Sequence, residues 1–261
     1  MPGLLTAEEN NIRHIMLKEI IHLQETTSTN DYLRSCPTPA ADAMTVATAE
    51  HQTAGRGQGC NRWESEPGKN LLFSILTSPA TVPADRQFVL SMAGALALKD
   101  TLDRHCTGIT LKWPNDIYWH DCKISGTLIE TALAGKTIRR CIYGIGLNVN
   151  QRTFLSDAPN PISLYNITGC ETHVDTLLNE VLESFERFYG LAVGGQHQYI
   201  ARLYNEALYR RDGMHAYEDC LTGERFEATI SNVETDGHLH LTDNEGKERT
   251  YTLKEVRFVM E

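Results

Sequence analysis

The sequence predicts an α+β fold, with a larger domain of mixed strands and helices and a small all-β domain at the C-terminal end. Three observations support this prediction. The chain has 261 residues, enough for one large domain and one small one. Segments with helical spacing of apolar residues alternate with β-rich segments as far as Leu208. From Met214 onward, short β segments separated by turn residues are typical of a small barrel, so the domains are expected at 1–210 and 211–261.

The first half of the chain is expected to combine strands with two helices. Ser28 and Asp31 have the spacing of a capping box, which predicts the start of a short helix. The continuous apolar run at 71–77 is typical of a buried strand. A single apolar stripe predicts a helix from Asp85 to about Asp103. Further strands are expected at 18–23 and 45–49.

The second half is expected to contain a kinked strand, a β-hairpin and two helices. Pro114 lacks a backbone donor, so the β-rich stretch 109–119 should bend there, and Lys112 and Asp116 should project from the bend. A hairpin turn is expected at Gly135. The remaining predicted elements are strands at 123–134 and 137–144, a loop at 151–172, and helices at 174–189 and 196–208.

The composition is that of a soluble globular protein without a general affinity for nucleic acid. The net charge is −10 at pH 7, whereas nucleic-acid-binding domains normally carry a basic face. No apolar run approaches the length of a membrane span, and the N-terminus lacks the pattern of a signal peptide. The seven cysteines are scattered singly, which indicates neither a disulfide framework nor a zinc site. We therefore expect a cytoplasmic protein that binds no membrane and holds no metal by a side-chain cluster.

The most informative stretch is 49–63, where three glycines alternate with polar side chains. Glycines allow the backbone to turn its N–H groups toward an anion. Arg56 adds a planar cation suited to a carboxylate or a phosphate, and Trp63 offers a flat apolar face. Taken alone, such a loop is more often a flexible surface connection.

Two further stretches carry residues that suit an adenylation site. The sequence KWPND occupies 112–116, and Lys123 follows it closely, although a lysine near a turn is commonly just a solvated residue. The strand expected at 137–144 runs into GIGLNVN, where Asn148 and Asn150 alternate on one face. These two amides either cap the strand end or face a nucleobase or a ribose.

Together these motifs resemble the biotin–protein ligase family. AGRGQGCNRW is similar to the family's biotin-binding loop, KWPND and GIGLNVN match two of its motifs, and Ser28, Thr29 and Asn30 match a third. The resemblance implies a mixed sheet like that of class II aminoacyl-tRNA synthetases, flanked by helices, with an SH3-like C-terminal barrel. It also implies ATP-dependent attachment of biotin, through biotinyl-5′-AMP, to a lysine of a biotin carboxyl carrier protein, with Mg²⁺ accompanying ATP.

The resemblance further implies roles for individual residues. Lys123 and Arg56 are expected to act on the biotin carboxylate and the α-phosphate, and Asp116 is expected to orient or deprotonate the acceptor lysine. The residues expected at biotin are Ser28, Thr29, Asn30, Gln52, Gly55, Arg56, Gly57, Lys123 and Gly126. Those expected at ATP or the adenylate are Gln58, Trp63, Lys112, Asn115, Asn148 and Asn150, with Lys112 acting on phosphate or supporting the bend.

The chain departs from the family pattern in two ways. Many members carry a second arginine where this chain has Gln58, and a glycine where it has Cys60. Without that charge, biotinyl-AMP is expected to leave the site faster. Some members begin with a DNA-binding helix-turn-helix, and the segment before the first predicted strand is too short for one, so no DNA binding is expected. Dimerisation through the catalytic sheet is left open.

Two other functions stay open at this point. A lipoate–protein ligase shares the fold and the adenylation chemistry, but it is expected to carry a different motif in place of KWPND. A non-catalytic regulator that binds biotin or a nucleotide could keep the glycine loop without the chemistry. The presence of both Lys123 and Asp116 argues against the regulator.

Overall fold

The computed structural model describes residues 16–57, 59, 62–155 and 160–260. Seven strands form the large sheet: β1 (Leu17–Thr26), β2 (Ala43–Gln52), β3 (Leu71–Thr77), β4 (Ile109–Lys112), β5 (Asp116–Trp119), β6 (Cys122–Ala134) and β7 (Thr137–Leu147). Their order is β1-β2-β3-β7-β6-β5-β4. The pair β1 and β2 is parallel, and the other neighbours are antiparallel. The sheet is therefore mixed, as the sequence predicts.

Helices pack on both faces of this sheet. They are α1 (Thr29–Ser35), α2 (Phe88–Leu102), α3 (Leu164–Thr168), α4 (Val174–Val193) and α5 (His197–Glu206). Side chains alternate along a strand, so Ile75 faces the large core that contains α2 and α4, whereas Leu76 faces the other side and packs with Leu33 of α1. The helix α1 therefore lies on the opposite face from α2 and α4.

Three helix predictions need correction. The expected single apolar stripe of α2 is wrong, because 12 of its 15 residues are buried where it packs against α4, α5 and the sheet. The capping box is also wrong, because Ser28 makes no side-chain capping bond and the Asp31 carboxylate pairs with Arg34 at 2.9 Å. The helix α4 continues past Gly190, and α3 occupies part of the predicted loop at 151–172.

The bend expected at Pro114 is a complete reversal of the chain. The strands β4 and β5 pair antiparallel, with Lys112 directly opposite Asp116, and the Trp113–Pro114 peptide bond is cis. The stretch predicted as one kinked strand is therefore a tight hairpin. Because paired residues share a face of a sheet, Lys112 and Asp116 lie side by side.

The C-terminal residues form a second, antiparallel sheet. Its strands are β8 (His215–Asp219), β9 (Arg225–Val233), β10 (Leu239–Asp243), β11 (Glu248–Tyr251) and β12 (Val256–Phe258), in the order β11-β10-β9-β8-β12. The five strands confirm the prediction, but in the described residues the outer strands do not pair with each other, so the sheet is open rather than a closed barrel. Buried side chains of both sheets form one continuous core. The domain boundary at 210 stays a prediction.

No helix in the described part of the chain is long and apolar enough to cross a membrane.

Candidate functional site

A cleft opens over the middle of the large sheet, on the face that carries α1. Three glycines form its floor and leave room above the strands. Gly126 on β6 lies opposite Gly146 on β7, and Gly144 on β7 lies opposite Ser74 on β3. The cleft has a cavity volume of about 130 Å³ and is partly open to solvent. Its lining consists of Ser28, Thr29, Asn30, Gln52, Arg56, Gly57, Arg62, Trp63, Asn115, Asp116, Lys123, Gly126, Thr127, Leu128, Gly144, Ile145 and Gly146.

One wall of the cleft is a chain of neutral hydrogen bonds at the start of α1. The Thr29 N–H donates to Gln52 Oε1 at 2.8 Å, and the Thr29 and Ser74 hydroxyl oxygens lie 2.6 Å apart. Ser74 donates to Asn30 Oδ1 at 2.6 Å. Ser74 gives its one proton to Asn30, so the short contact with Thr29 uses the Thr29 hydroxyl proton, although Gln52 Oε1 also lies 3.2 Å from that hydroxyl. The Asn30 NH₂ group points away from Ser74 and donates to Leu128 O at 3.4 Å.

The sequence-based site lacked Ser74. This serine is the polar residue inside the otherwise apolar strand run LLFSIL, and its side chain is fully buried. A buried hydroxyl must find a partner, so its position in that run was the available signal. Ser28 was predicted, and it lines the cleft.

Two of the floor glycines are required by side chains that lie directly above them. A Cβ atom on Gly144 would come within 2.7 Å of Asn30 Cγ, and one on Gly146 within 2.7 Å of Trp63 Cδ2. Gly126 is less tightly covered, since its Cβ would meet Trp63 Cζ3 at 3.1 Å. The Trp63 indole therefore lies flat over the paired glycines of β6 and β7.

The glycine loop folds back on itself beside this indole. The backbone N–H of Trp63 donates to the backbone carbonyl of Gly55 at 3.1 Å, and Arg56 and Arg62 pair in an antiparallel β-bridge. Gly57 lines the cleft, whereas Gly55 is buried at the base of the loop. Gln58 and Cys60, the positions that depart from the family pattern, lie outside the described residues, so the expectation about adenylate retention stays a prediction.

Lys123 and Asp116 form an ion pair in the cleft. Tyr118 lies opposite Lys123 in the strand register and Asp116 lies opposite Gly126, so the lysine and the carboxylate share one face. Their charged atoms, Lys123 Nζ and Asp116 Oδ1, are 2.7 Å apart. The absent side chain of Gly126 makes room for the ammonium, because a Cβ there would lie 3.2 Å from Nζ. Two of the three predicted catalytic residues therefore meet at one point.

Arg56 reaches the cleft from the loop and is held by two carboxylates. Its guanidinium lies 2.8 Å from Asp31 Oδ1 and 3.4 Å from Glu130 Oε1. Arg34 pairs with the same two carboxylates. These side chains are about a quarter to a half exposed, and ion pairs of this kind are worth less than about 1 kcal/mol each. Arg56 can therefore exchange a protein carboxylate for an anionic ligand at small cost.

Lys112 lies outside the cleft lining, and its expected place at ATP or the adenylate stays a prediction. Its ammonium donates to the Tyr118 hydroxyl at 2.8 Å and lies 4.4 Å from the centre of that ring. The rings of Tyr209 and Phe258 lie 5.9 Å and 5.4 Å away. These three rings form an aromatic cage around Lys112. Burial lowers the pKa of Lys112 to about 8, while the nearby Asp116 carboxylate acts in the opposite direction.

We predict that Lys112→Met makes the protein more stable at pH 7, by about 1–2 kcal/mol in free energy of unfolding. A pKa lowered from 10.5 to about 8 corresponds to about 3 kcal/mol against the charged form in the folded state, and lost contacts with Tyr118 offset part of the gain. That penalty is complete below pH 8 and disappears as the pH rises from 8 toward 10.5. Urea unfolding at pH 7 and pH 9.5 should therefore show a smaller difference at pH 9.5. A variant less stable than wild type at pH 7 contradicts the prediction.

The asparagines after β7 have different environments. Asn148 is buried, its Nδ2 donates to Ile162 O at 3.0 Å, and its Oδ1 has no partner among the described residues. Asn148 lies outside the cleft lining, so its expected contact with the adenylate stays a prediction. Asn150 uses both ends of its amide on the backbone of Thr172, each at 2.9 Å. Its amide thus joins two backbone segments, and its expected role at the adenylate stays a prediction.

Asn115 lines the cleft and fixes the hairpin to the neighbouring strand. Its Nδ2 donates to Thr127 O at 2.7 Å, and its backbone carbonyl accepts from the Thr127 N–H at 2.9 Å. Asn115 thus holds Asp116 beside β6.

Comparison with known proteins identifies relatives of this chain. Residues 22–148 match the family model described as biotin/lipoate A/B protein ligase family. The bifunctional ligase/repressor BirA of Bacillus spizizenii is 29% identical over 200 residues, covering 72% of this chain and 60% of its own length. The biotin–[acetyl-CoA-carboxylase] ligase of Mycobacterium tuberculosis is 31% identical over 169 residues, covering 62% of this chain and 60% of its own length. The chain thus spans about 60% of the length of these relatives.

A solved structure of another protein has the same fold. The biotin protein ligase from Aquifex aeolicus, in complex with biotin and ATP, superposes with a TM-score of 0.76. The match covers 92% of this chain and 99% of the other, at 24% sequence identity. This likeness establishes the architecture, including the C-terminal sheet.

Proposed function

We propose that this protein is a biotin–protein ligase, because residues 22–148 match the model of the biotin/lipoate A/B protein ligase family. It would use ATP to form biotinyl-5′-AMP and then attach biotin to a lysine of a biotin carboxyl carrier protein. The observation that carries the proposal is the junction of the neutral wall of Thr29, Asn30 and Gln52 with the cations Lys123 and Arg56. The neutral wall suits the uncharged ureido ring, and the cations suit the carboxylate and the phosphate.

In the first step, the biotin carboxylate attacks the α-phosphate of ATP and pyrophosphate leaves. Both reactants are anions, so preorganised positive charge at the point of attack lowers the barrier. Lys123 can turn from Asp116 toward the reacting oxygens, and Arg56 can exchange Asp31 for a ligand anion. Mg²⁺ would arrive with ATP as part of the substrate.

In the second step, the amine of the acceptor lysine attacks the mixed anhydride and AMP leaves. A free lysine amine is protonated at neutral pH, so a carboxylate that orients or deprotonates it speeds the step. Asp116 is the carboxylate that lines the cleft, and it lies beside Lys123. We assign it this role.

We predict that Asp116→Asn slows biotin transfer about tenfold more than it slows adenylate formation. The amide keeps the size of the side chain but loses the negative charge that would attract the acceptor amine. Single-turnover assays measure the two steps separately, one by pyrophosphate release and one by transfer from preformed biotinyl-AMP. Equal slowing of both steps would count against the assignment.

The experiment that tests the proposed function is pyrophosphate release from MgATP by the purified protein, with biotin, with lipoate and without either. Biotin-dependent release supports the proposal. Lipoate-dependent release would move the chain to the other branch of the same family. No release with either substrate from folded protein would favour a non-catalytic regulator.

The remaining sequence-based expectations are part of the proposal. A biotin carboxyl carrier protein of a biotin-dependent carboxylase is the acceptor, and the cytoplasm is the compartment. The catalytic residues belong to 1–210 and the small β domain to 211–261. No DNA-binding role is proposed, and the oligomeric state is left to measurement.

A further inference from the structure

The C-terminal sheet contacts the hairpin that carries Asp116. Trp113, at the tip of that hairpin, is buried and donates from Nε1 to Gly237 O at 3.1 Å, in the turn between β9 and β10. The backbone of Leu111 exchanges hydrogen bonds with the chain after α5, through Ala207 O at 2.9 Å and the Tyr209 N–H at 2.8 Å. The hairpin is therefore clamped between the large sheet and the C-terminal part of the chain.

The aromatic cage brings the C-terminal sheet close to the charged side chain of Lys112. Phe258 belongs to β12 and is buried, yet its ring lies 5.4 Å from Lys112 Nζ. Lys112 lies directly opposite Asp116 in the hairpin, and Asp116 is in turn 2.7 Å from Lys123. The carboxylate thus has one lysine on each side, one open to the cleft and one enclosed in the cage.

The charged and titratable groups that face Lys112 come from several elements. They are Asp116 and Tyr118 on β5, Asp121 in the β5–β6 turn, Lys123 on β6, and Tyr209 and Arg210 after α5. In the described residues, none of the carboxylates forms an ion pair with Lys112 within 4 Å. Burial raises the pKa of Tyr209 to about 12 and that of Tyr118 still further, so both phenols stay neutral where Lys112 titrates.

We propose that Lys112 is a positioning residue that balances the charge of Asp116 and so frees Lys123 for the substrates, and that Phe258 of the C-terminal sheet sets its protonation by excluding water. The catalytic half of this inference rests on the proposed function. Below pH 8, Lys112 is an ammonium, and Asp116 interacts with two cations, with Lys123 in direct contact and with Lys112 at longer range. When Lys112 loses its proton, Asp116 holds Lys123 more tightly, and the cleft loses positive charge where two anions must meet.

The activity test is the pH dependence of biotin-dependent adenylation between pH 7 and 9.5. The adenylation rate of the wild-type protein should fall about tenfold as the pH rises, with the midpoint of the fall near pH 8. The Lys112→Met variant should already have this lowered adenylation rate at pH 7, and its rate should show no further fall near pH 8. Phe258→Leu should move the fall to higher pH, because water then reaches the ammonium. Phe226→Leu is the matched control, since that ring stacks on Tyr217 and Tyr251 and, in the described residues, has no direct ring contact with the cage, from which Tyr217 separates it.

A second substitution separates positioning from a structural role. If Lys112 acts by relieving Lys123 of Asp116, then adding Asp116→Asn to Lys112→Met should restore most of the adenylation rate at pH 7. A structural defect would not be repaired by removing a second charge, because each change would then add its own loss. Failure of this rescue, or an unchanged fall near pH 8 in Lys112→Met, would overturn the positioning role.

The claim about Phe258 has a readout that needs no activity. In protein labelled with [¹³C]lysine, the ε-carbon resonance of Lys112, assigned by its loss in Lys112→Met, reports its pKa directly. We expect a midpoint near 8 in wild type, a midpoint raised by about one unit or more in Phe258→Leu, and no change in Phe226→Leu. A midpoint above 10 in wild type would overturn the inference. If the pKa of Lys112 shifts in this way but no pyrophosphate is released with biotin or lipoate, the proposed function is wrong and the effect of Phe258 on Lys112 still stands.

Discussion

Replacement of Lys123 by methionine is expected to lower biotin-dependent adenylation by about 10²- to 10³-fold. Methionine keeps an unbranched side chain but removes the ammonium, which lies over Gly126 at the centre of the cleft floor. The step joins two anions, so the lost charge raises the barrier at the transition state more than it weakens binding of either substrate. Isotope exchange between pyrophosphate and ATP, with biotin present, measures this loss.

Lys99→Met is the matched control for this prediction. Lys99 is also paired with an aspartate, Asp103, at 2.7 Å, but it lies on α2 and does not line the cleft. The control should keep the wild-type exchange rate within a factor of about two, since Lys99 lies outside the cleft and an i,i+4 helix pair is worth about 0.3–0.5 kcal/mol. If Lys123→Met also keeps more than a tenth of the activity, Lys123 is not the cation that joins the substrates.

Local patterns predicted the elements of this fold well. The apolar run at 71–77 is β3, and the hairpin at Gly135 joins β6 and β7 as expected. The wrong predictions concern places where contacts between residues far apart in sequence determine the local structure. Ser28 and Asp31 satisfy the local capping rule, yet Asp31 binds Arg34 and Arg56 instead. A capping box offers about 1 kcal/mol, so a competing pair of arginines is enough to displace it.

Motif order predicted most of the candidate site, since the register of β3, β7, β6 and β5 aligns its parts in one row. Sequence spacing could not reveal which end of that row is open. Lys112 and Asp116 are neighbours in KWPND, but Phe258, far along the chain, covers the lysine and leaves the carboxylate in the cleft. Asn148 and Asn150 share an alternating pattern, and only the packing of Thr172 shows that Asn150 is already occupied.

Gly144→Ala is expected to weaken biotin binding by about 10- to 100-fold. The new Cβ would lie 2.7 Å from Asn30 Cγ, so the Asn30 amide must leave its place beside Ser74. Displacing it leaves Ser74 without its acceptor in a fully buried position, at a cost of about 1–3 kcal/mol. Calorimetric titration with biotin measures the loss of affinity, and thermal unfolding should show a modest loss of stability.

The three floor glycines provide a graded test of the same idea. Gly146→Ala would push the Trp63 indole off the floor, so it should impair adenylate formation and change tryptophan fluorescence more than it changes biotin affinity. Gly126→Ala meets the flexible end of Lys123 at 3.2 Å and one edge of the indole at 3.1 Å, so small shifts can accommodate it and the effect should be a few-fold. Equal effects of all three variants would mean that an alanine disturbs the sheet in general. If Gly144→Ala mainly weakens biotin binding and Gly146→Ala mainly slows adenylation, the ureido ring lies under α1 and the nucleotide lies beside Trp63. Each alanine would then disturb only the one side chain directly above it.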